Sequence, residues 1–259
     1  DIYKMTEDQW FGEKDWQATK ASIEASDFQT RIKDEFKKNP LPEAHDWKDV
    51  DFAIHLFLDT LSQEGMIDKY WDKLTKEQQR IVTISQNLSP EYKKIAWEIR
   101  KEYDILGQYA KDEGAIFNIL ENYVARQWDL SNKKNATEFW KKFATTTKHS
   151  KQRTLGSIIE GWAMEDKDGN NLGLTLAIKG ASNNLMILKT EIHNVIENKK
   201  LIDIGLNTFD EEGNNLFSLK EIPGYKKVDH PGFRKWHADG YFKGTVKEKQ
   251  NVGMNAFVS

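Results

Sequence analysis

The sequence predicts a mainly α protein framed by two long helices, and three observations lead there. Apolar residues recur at helical spacing over two extended stretches, only five prolines punctuate the 259 residues, and Gly, Pro and β-forming residues gather after about residue 207. Charged residues make up 31% of the chain and the mean hydropathy is −0.73. Yet nine Trp, thirteen Phe and eight Tyr supply anchors for a core, so the composition argues against disorder.

Residues 1–60 hold fourteen acids against eight Lys and Arg and read as short helices. Thr6, with Asp8 and Gln9 behind it, fits an N-cap ahead of Trp10 and Phe11. Pro40 and Pro42 in KKNPLPEAHDW break the helix before Asp46 restarts it. Phe52, Ile54, His55, Leu56, Leu58 and Leu61 form the next apolar set, which ends at Gly65. Thr75, followed by Glu77 and Gln78, opens another helix, and SPEY at 89–92 interrupts it with Pro90 in a first-turn position. The acidic short-helix region is therefore taken as 1–88.

From Pro90 a helix is expected without interruption to about Leu130. Ile95, Ile99, Leu106, Ala110 and Phe117 follow an eleven-residue recurrence that keeps one stripe on one face. Such a rod would be about 60 Å long at 1.5 Å per residue, with Gly107 or Gly114 as the place to bend. It would end in ILENYVARQWDL, where Tyr123 and Trp128 dock the helix end and Arg126 stacks on an aromatic or pairs with Glu121 or Asp129. This cluster is expected to be a structural junction that fixes an angle between helices.

SNKKNATEFWKKFATTTKHSKQR follows at 131–153. Lys133, Lys134, Lys141, Lys142, Lys148, Lys151 and Arg153 face a single acid, Glu138, and Phe139, Trp140 and Phe143 are interleaved. The stretch can lie along phosphates and stack on bases, or dock on an acidic protein surface. Thr154–Met164 reads as a short apolar helix. The second long helix is expected over 172–207, on Leu174, Ile178, Ala181, Leu185, Leu188, Ile192 and Ile196. The long-helix core thus spans 89–207. Residues 208–259 are expected to be irregular, with loops and a small hairpin at most. DKDGNNLGL and DEEGNNLFSL look alike, but two copies of a turn sequence do not establish a repeat protein.

Chemical constellations are weak. DKDGNN starts like a calcium loop, but its sixth position is Asn171 and its twelfth is Ala177, so a solvated turn capping the next helix is the better reading. His45, Asp46, Asp49, Asp51 and His55 form one titratable cluster, and Asp229, His230, His237 and Asp239 another. Neither has metal-ligand spacing, and His55 reads as a core residue beside Leu56. Glu160 in GSIIEGWAM, beside Trp162, is the one candidate general acid, as in a cell-wall hydrolase, although no second carboxylate can be paired with it. The simpler reading is a helix-face Glu paired with a nearby Lys or Arg. Phosphate-loop, dinucleotide-loop and serine-elbow motifs are missing. No metal or cofactor is expected.

A net charge of −3 gives no global nucleic-acid signature. The lack of cysteine excludes disulfides, thiolate catalysis and Cys-ligated zinc, and fits a reducing compartment. No apolar run of about 18 residues predicts a membrane span. The start at Asp1 and the apolar finish NVGMNAFVS lead to the expectation of a processed product or an excerpt of a longer polypeptide, with trimmed ends as the alternative.

ENYVARQW at 121–128, RTLGSIIEGWAM at 153–164 and the helix ending ENKKLIDIGLN at 197–207 stand in an order that resembles a helical segment of phage large polyvalent proteins and internal virion proteins. EIPGYKKVDHPGF at 221–233 resembles the Gly- and His-bearing loop that follows it there. The likeness covers about 90–233. It implies a non-enzymatic structural or delivery module, packaged in the virion and delivered to the host cytoplasm, or a segment linking domains of a larger polypeptide. Its partners would be other virion proteins or flanking domains, with nucleic acid at 131–153. A host-directed inhibitor is a third reading of the basic stretch.

Overall fold

A computed structural model of the chain describes residues 2–61, 65–114, 124, 126–142, 157–227 and 240–243. The fold is mainly helical, with eight α-helices and a small three-stranded antiparallel sheet among the described residues. None of these helices is long and apolar enough to cross a membrane. Two compact units divide the chain: Asp1–Ala21, Gln108–Asn118 and Lys189–Ser259 form one, Ser22–Gly107 and Ile119–Leu188 the other.

The first third departs from the expectation of short helices. Helix α1 (Ile2–Lys38) is continuous for 37 residues, so Thr6 lies inside it and not ahead of its start. It holds together because Ala21, Ala25, Phe28 and Ile32, at alternating spacings of four and three, all face inward. Gly12 has open space around it and leaves the helix unbroken. Pro40 then prevents continuation.

Local capping signals set three of the next four starts where the sequence places them. Helix α2 (Trp47–Thr60) begins at Asp46, whose side chain accepts from the Lys48 and Asp49 amides. A short α3 (Met66–Tyr70) follows. Helix α4 (Lys76–Gln86) opens with a capping box in which Thr75 and Gln78 satisfy each other's backbone amides. Helix α5 begins at Pro90.

Helix α2 is buried nearly all round, and the main core of the larger unit condenses on it. Val50, Ile54, Leu56 and Leu58 from α2, Ile81, Val82 and Ile84 from α4, and Tyr92, Ile95 and Ile99 from α5 lie in this core. Each fully buried Ile or Leu contributes roughly 1.5–3 kcal/mol on transfer from water.

Both long helices are shorter than their periodicity suggests. Helix α5 (Pro90–Asp112) stops well before Leu130. Ile95, Ile99, Leu106 and Ala110 are buried as a stripe, but Gly114 adopts φ +67° and donates its amide to the Lys111 carbonyl at 2.9 Å. It therefore ends the helix instead of bending it. Phe117, Glu121 and Tyr123 lie outside the described residues. Trp128 forms an isolated antiparallel bridge with Leu176, so the expected helix end is non-helical there.

Helix α6 (Lys133–Lys142) and the short α7 (Ile158–Trp162) come next. Helix α8 then runs Ala181–Asn207, starting nine residues later than the expected Leu172. Leu172, Leu174 and Leu176 are buried while Asn171, Gly173, Thr175 and Ala177 are exposed. That alternation is the period of a strand, and it overrode the helical spacing read through Leu174.

The expected small C-terminal hairpin is a sheet of order β1-β3-β2, from Phe217–Ser218, Tyr225–Lys227 and Tyr241–Lys243. Its middle strand comes last in sequence. Phe217 lies opposite Phe242, and their rings meet edge to face at 6.0 Å.

Candidate functional site

Asp51, His55 and Asp59 recur every four residues on α2, which puts them on one face of that helix. All three are buried. In an otherwise apolar core, each needs a partner or costs on the order of 1–3 kcal/mol. Asp51 and His55 find theirs at the start of α8, and Asp59 finds its partners on two other returning segments.

Asp51 fastens the start of α8. Its carboxylate accepts from the Ser182 amide at 3.1 Å and the Ser182 hydroxyl at 2.6 Å. Gly180 makes room for it, since any Cβ there would overlap the carboxylate. Gly180 also has φ +91°, which favours glycine on its own account. Burial pushes the Asp51 carboxyl up to about 6, against the pull of the Ser182 and Ala181 donors. His55 Nδ1 lies 3.3 Å from Asn184 Nδ2, which donates to the Gly180 carbonyl at 2.8 Å and the Ile178 carbonyl at 3.1 Å.

Asp59 fastens two segments at once. It accepts from the Ile158 amide at 2.6 Å, at the start of α7, and from Arg126 Nε in an ion pair. Burial raises its carboxyl, and Arg126 and the Ile158 amide oppose the rise. Arg126 thus reaches a carboxylate on α2, while Glu121 lies outside the described residues. The Asp129 carboxylate instead accepts from the Ser131 amide at 3.0 Å. Of the expected junction residues, Arg126 meets Asp59 of α2 and Trp128 lies against Gly161 of α7.

Trp128 lies over Gly161, where any Cβ would overlap its ring. The backbone on either side is laddered: Asp129 N donates to Thr175 O and Ala177 N to Gln127 O, both at 2.8 Å. These contacts hold residues 126–129 between α2, α7 and the strand-like Leu172–Ala177. The signal for them was present in the sequence as small Gly161 inside an apolar helix and as Leu at alternate positions.

The other candidates separate. In the first His/Asp cluster Asp46 caps α2, and Asp49 pairs with Arg80 at 2.7 Å and accepts from the His45 amide at 2.8 Å. Burial works to raise Asp49, but Arg80 and that amide outweigh it and hold the carboxyl low. Among the described residues no three His, Asp or Glu side chains are grouped as metal ligands would be. Asp229, His230, His237 and Asp239 lie outside them.

Glu160 is half-buried on α7, with its amide donating to Ser157 Oγ at 3.0 Å. Tyr70, and after it the Glu160 charge, holds the Lys69 ammonium above its usual range. That places a Lys within the field of Glu160. Of the basic stretch, Lys133 is exposed on α6 and Phe139 is buried against Met164, Leu172 and Leu174. Lys134, Lys141 and Lys142 fall within α6; Lys148, Lys151 and Arg153 lie outside the described residues.

DKDGNN is a hairpin turn. The Asp166 carboxylate accepts from the Asp168 and Asn170 amides, both at 3.0 Å, and Gly169 takes φ +81°. It joins a bridge between Glu165 and Asn171 and does not cap α8. Compared with family models, with curated proteins and with solved structures, the chain matches none.

Proposed function

We propose that this chain is a non-enzymatic structural or delivery module of the phage internal virion and polyvalent type, acting through protein surfaces and through DNA at residues 131–153. One observation carries the non-enzymatic part. The buried carboxylates Asp51 and Asp59 are engaged by chain donors, with Ser182, Ile158 and Arg126 as their partners, so the polar interior braces the frame. The phage part rests on the resemblance of 90–233. The DNA part rests on the charge of 131–153 and on α6, which buries Phe139 and exposes Lys133.

Two measurements test the reading. Duplex DNA binding by the full chain should weaken steeply with salt, and replacing Lys133, Lys134, Lys141 and Lys142 with Gln should flatten that dependence, each lost phosphate contact removing roughly 0.9 from the slope. An antibody to the chain should find it in purified DNA-filled particles and not in emptied ones. Absence from such particles overturns the delivery reading, and no DNA binding at low salt overturns the nucleic-acid reading.

A further inference from the structure

The two similar turn sequences are parts of one larger unit that occurs twice. Ile158, Gly161, Asp166, Gly169, Asn170, Asn171 and Leu172 recur in register as Ile202, Gly205, Asp210, Gly213, Asn214, Asn215 and Leu216. The hydrogen bonds recur with them. Asp166 N donates to Asn170 O at 2.8 Å and Asp210 N to Asn214 O at 2.9 Å; Leu172 N donates to Met164 O at 2.8 Å and Leu216 N to Thr208 O at 3.0 Å.

Each Asp carboxylate accepts the amides two and four residues on. The second Asn of each turn donates its side chain back to the preceding helix, Asn171 to the Trp162 carbonyl and Asn215 to the Leu206 carbonyl. A bridge closes each turn, Glu165 to Asn171 and Phe209 to Asn215.

The recurrence extends to what the unit holds. Above each helix glycine lies an aromatic ring, Trp128 on Gly161 and Phe217 on Gly205. Beside each outgoing strand lies a partner strand that carries a cation to a carboxylate. Residues 126–129 pair with Thr175–Ala177 and send Arg126 to Asp59, while β3 pairs with Phe217–Ser218 and sends Lys243 to Asp210. The ring arrives differently in the two. At the position of Phe217 the first unit has Gly173, at φ +61°, so its own strand offers no ring and the partner strand must bring one.

We infer that the unit built from Ser157–Ala177 and Asp59 is a peptide-binding seat for an extended segment with Arg two residues before Trp, and that Arg126–Asp129 of this chain is its resident occupant. The recognition has three parts. Backbone pairing with Thr175 and Ala177 sets the extended conformation, Gly161 admits the indole, and buried Asp59 takes the guanidinium. The same seat accepts such a segment from another polypeptide when the resident one is removed.

The test uses the full chain carrying Arg126→Ala and Trp128→Ala together, which vacates the Asp59 and Gly161 sites and leaves the resident segment held by its backbone pairing alone, and a fluorescent peptide of residues 124–131. The vacated chain should bind this peptide at least tenfold more tightly than wild type does, because wild type keeps its seat filled. Binding to the vacated chain should drop at least tenfold when the peptide's Trp is replaced by Ala, and again when Gly161→Val is added to the chain. Equal binding to wild type and vacated chain, or no preference for Trp, overturns the inference. Should the vacated chain lose its helical circular dichroism, added peptide should restore it, and a failure to restore it is equally fatal.

Discussion

Trp128 reaches Gly161 from the strand across the ladder, whereas Phe217 reaches Gly205 from the strand that leaves the turn itself. The turns between are wired alike, down to the left-handed Gly169 and Gly213 at φ +81° and +83°. Their fastenings differ in environment. Arg126 meets a carboxylate with no solvent exposure, while Lys243 meets Asp210 and Glu212 nearer the surface. Short-range identity therefore dictates the turn, and distant residues decide which strand closes it and how firmly.

The largest expected effect separates the two fastenings. Asp59→Ala removes the buried carboxylate that receives both the Arg126 guanidinium and the Ile158 amide, and should cost about 3–5 kcal/mol in urea unfolding. A cost under about 1 kcal/mol would make the interior clasp no stronger than a surface one.

Next in size is the pH response of α2. Asp51 has its carboxyl raised to about 6 in the fold, so its contribution is fully present below the unfolded value near 4 and is lost as pH rises through about 6. Between pH 4 and pH 7 this should remove about 3 kcal/mol, at roughly 1.4 kcal/mol per pH unit. Thermal melts of wild type and Asp51→Asn across that range isolate the effect, which should be missing from the variant.

The glycine seats come third. Gly161→Ala and Gly205→Ala each force a methyl into an aromatic ring and should cost about 1–3 kcal/mol. Trp128 on a separate strand can move further than Phe217 on the adjoining one, so the Gly205 variant should lose more.

Asp210 gives the smallest and most local test. Lys243 first, and then the Asn214 and Glu212 amides, hold its carboxyl down to about 2. Its contribution is present above the unfolded value near 4 and is lost as pH falls through about 2. In carboxyl-resolved NMR titrations Lys243→Gln should move its midpoint back toward the usual carboxylate range.

What could be read from the sequence was what depends on near neighbours. Asp46, Thr75 and Pro90 marked helix starts because a cap needs only the next three residues. The stripe of α5 was legible for the same reason, and its end was not, since Phe117 prolongs the spacing that Gly114 terminates. The continuity of α1 was hidden by its acidic surface, although Ala21, Ala25, Phe28 and Ile32 record it.

The candidate site was half legible. The spacing of Asp51, His55 and Asp59 put them on one helix face, but their partners Ser182, Asn184, Ile158 and Arg126 are set by the fold and by no local rule. The twin turns were visible as strings, while their shared rings and bridges required coordinates.

The acids of α2 also bear on how the chain can be made. Their donors lie 67, 99 and 131 residues further on, at Arg126, Ile158 and Ser182. Until a ribosome has released the start of α8, a growing chain that collapsed around α2 would enclose negative charge with nothing to meet it. Closure of the larger unit is therefore expected to be late and slow, as for any topology that waits on remote pairing, and fragments ending before Ser182 should stay loose.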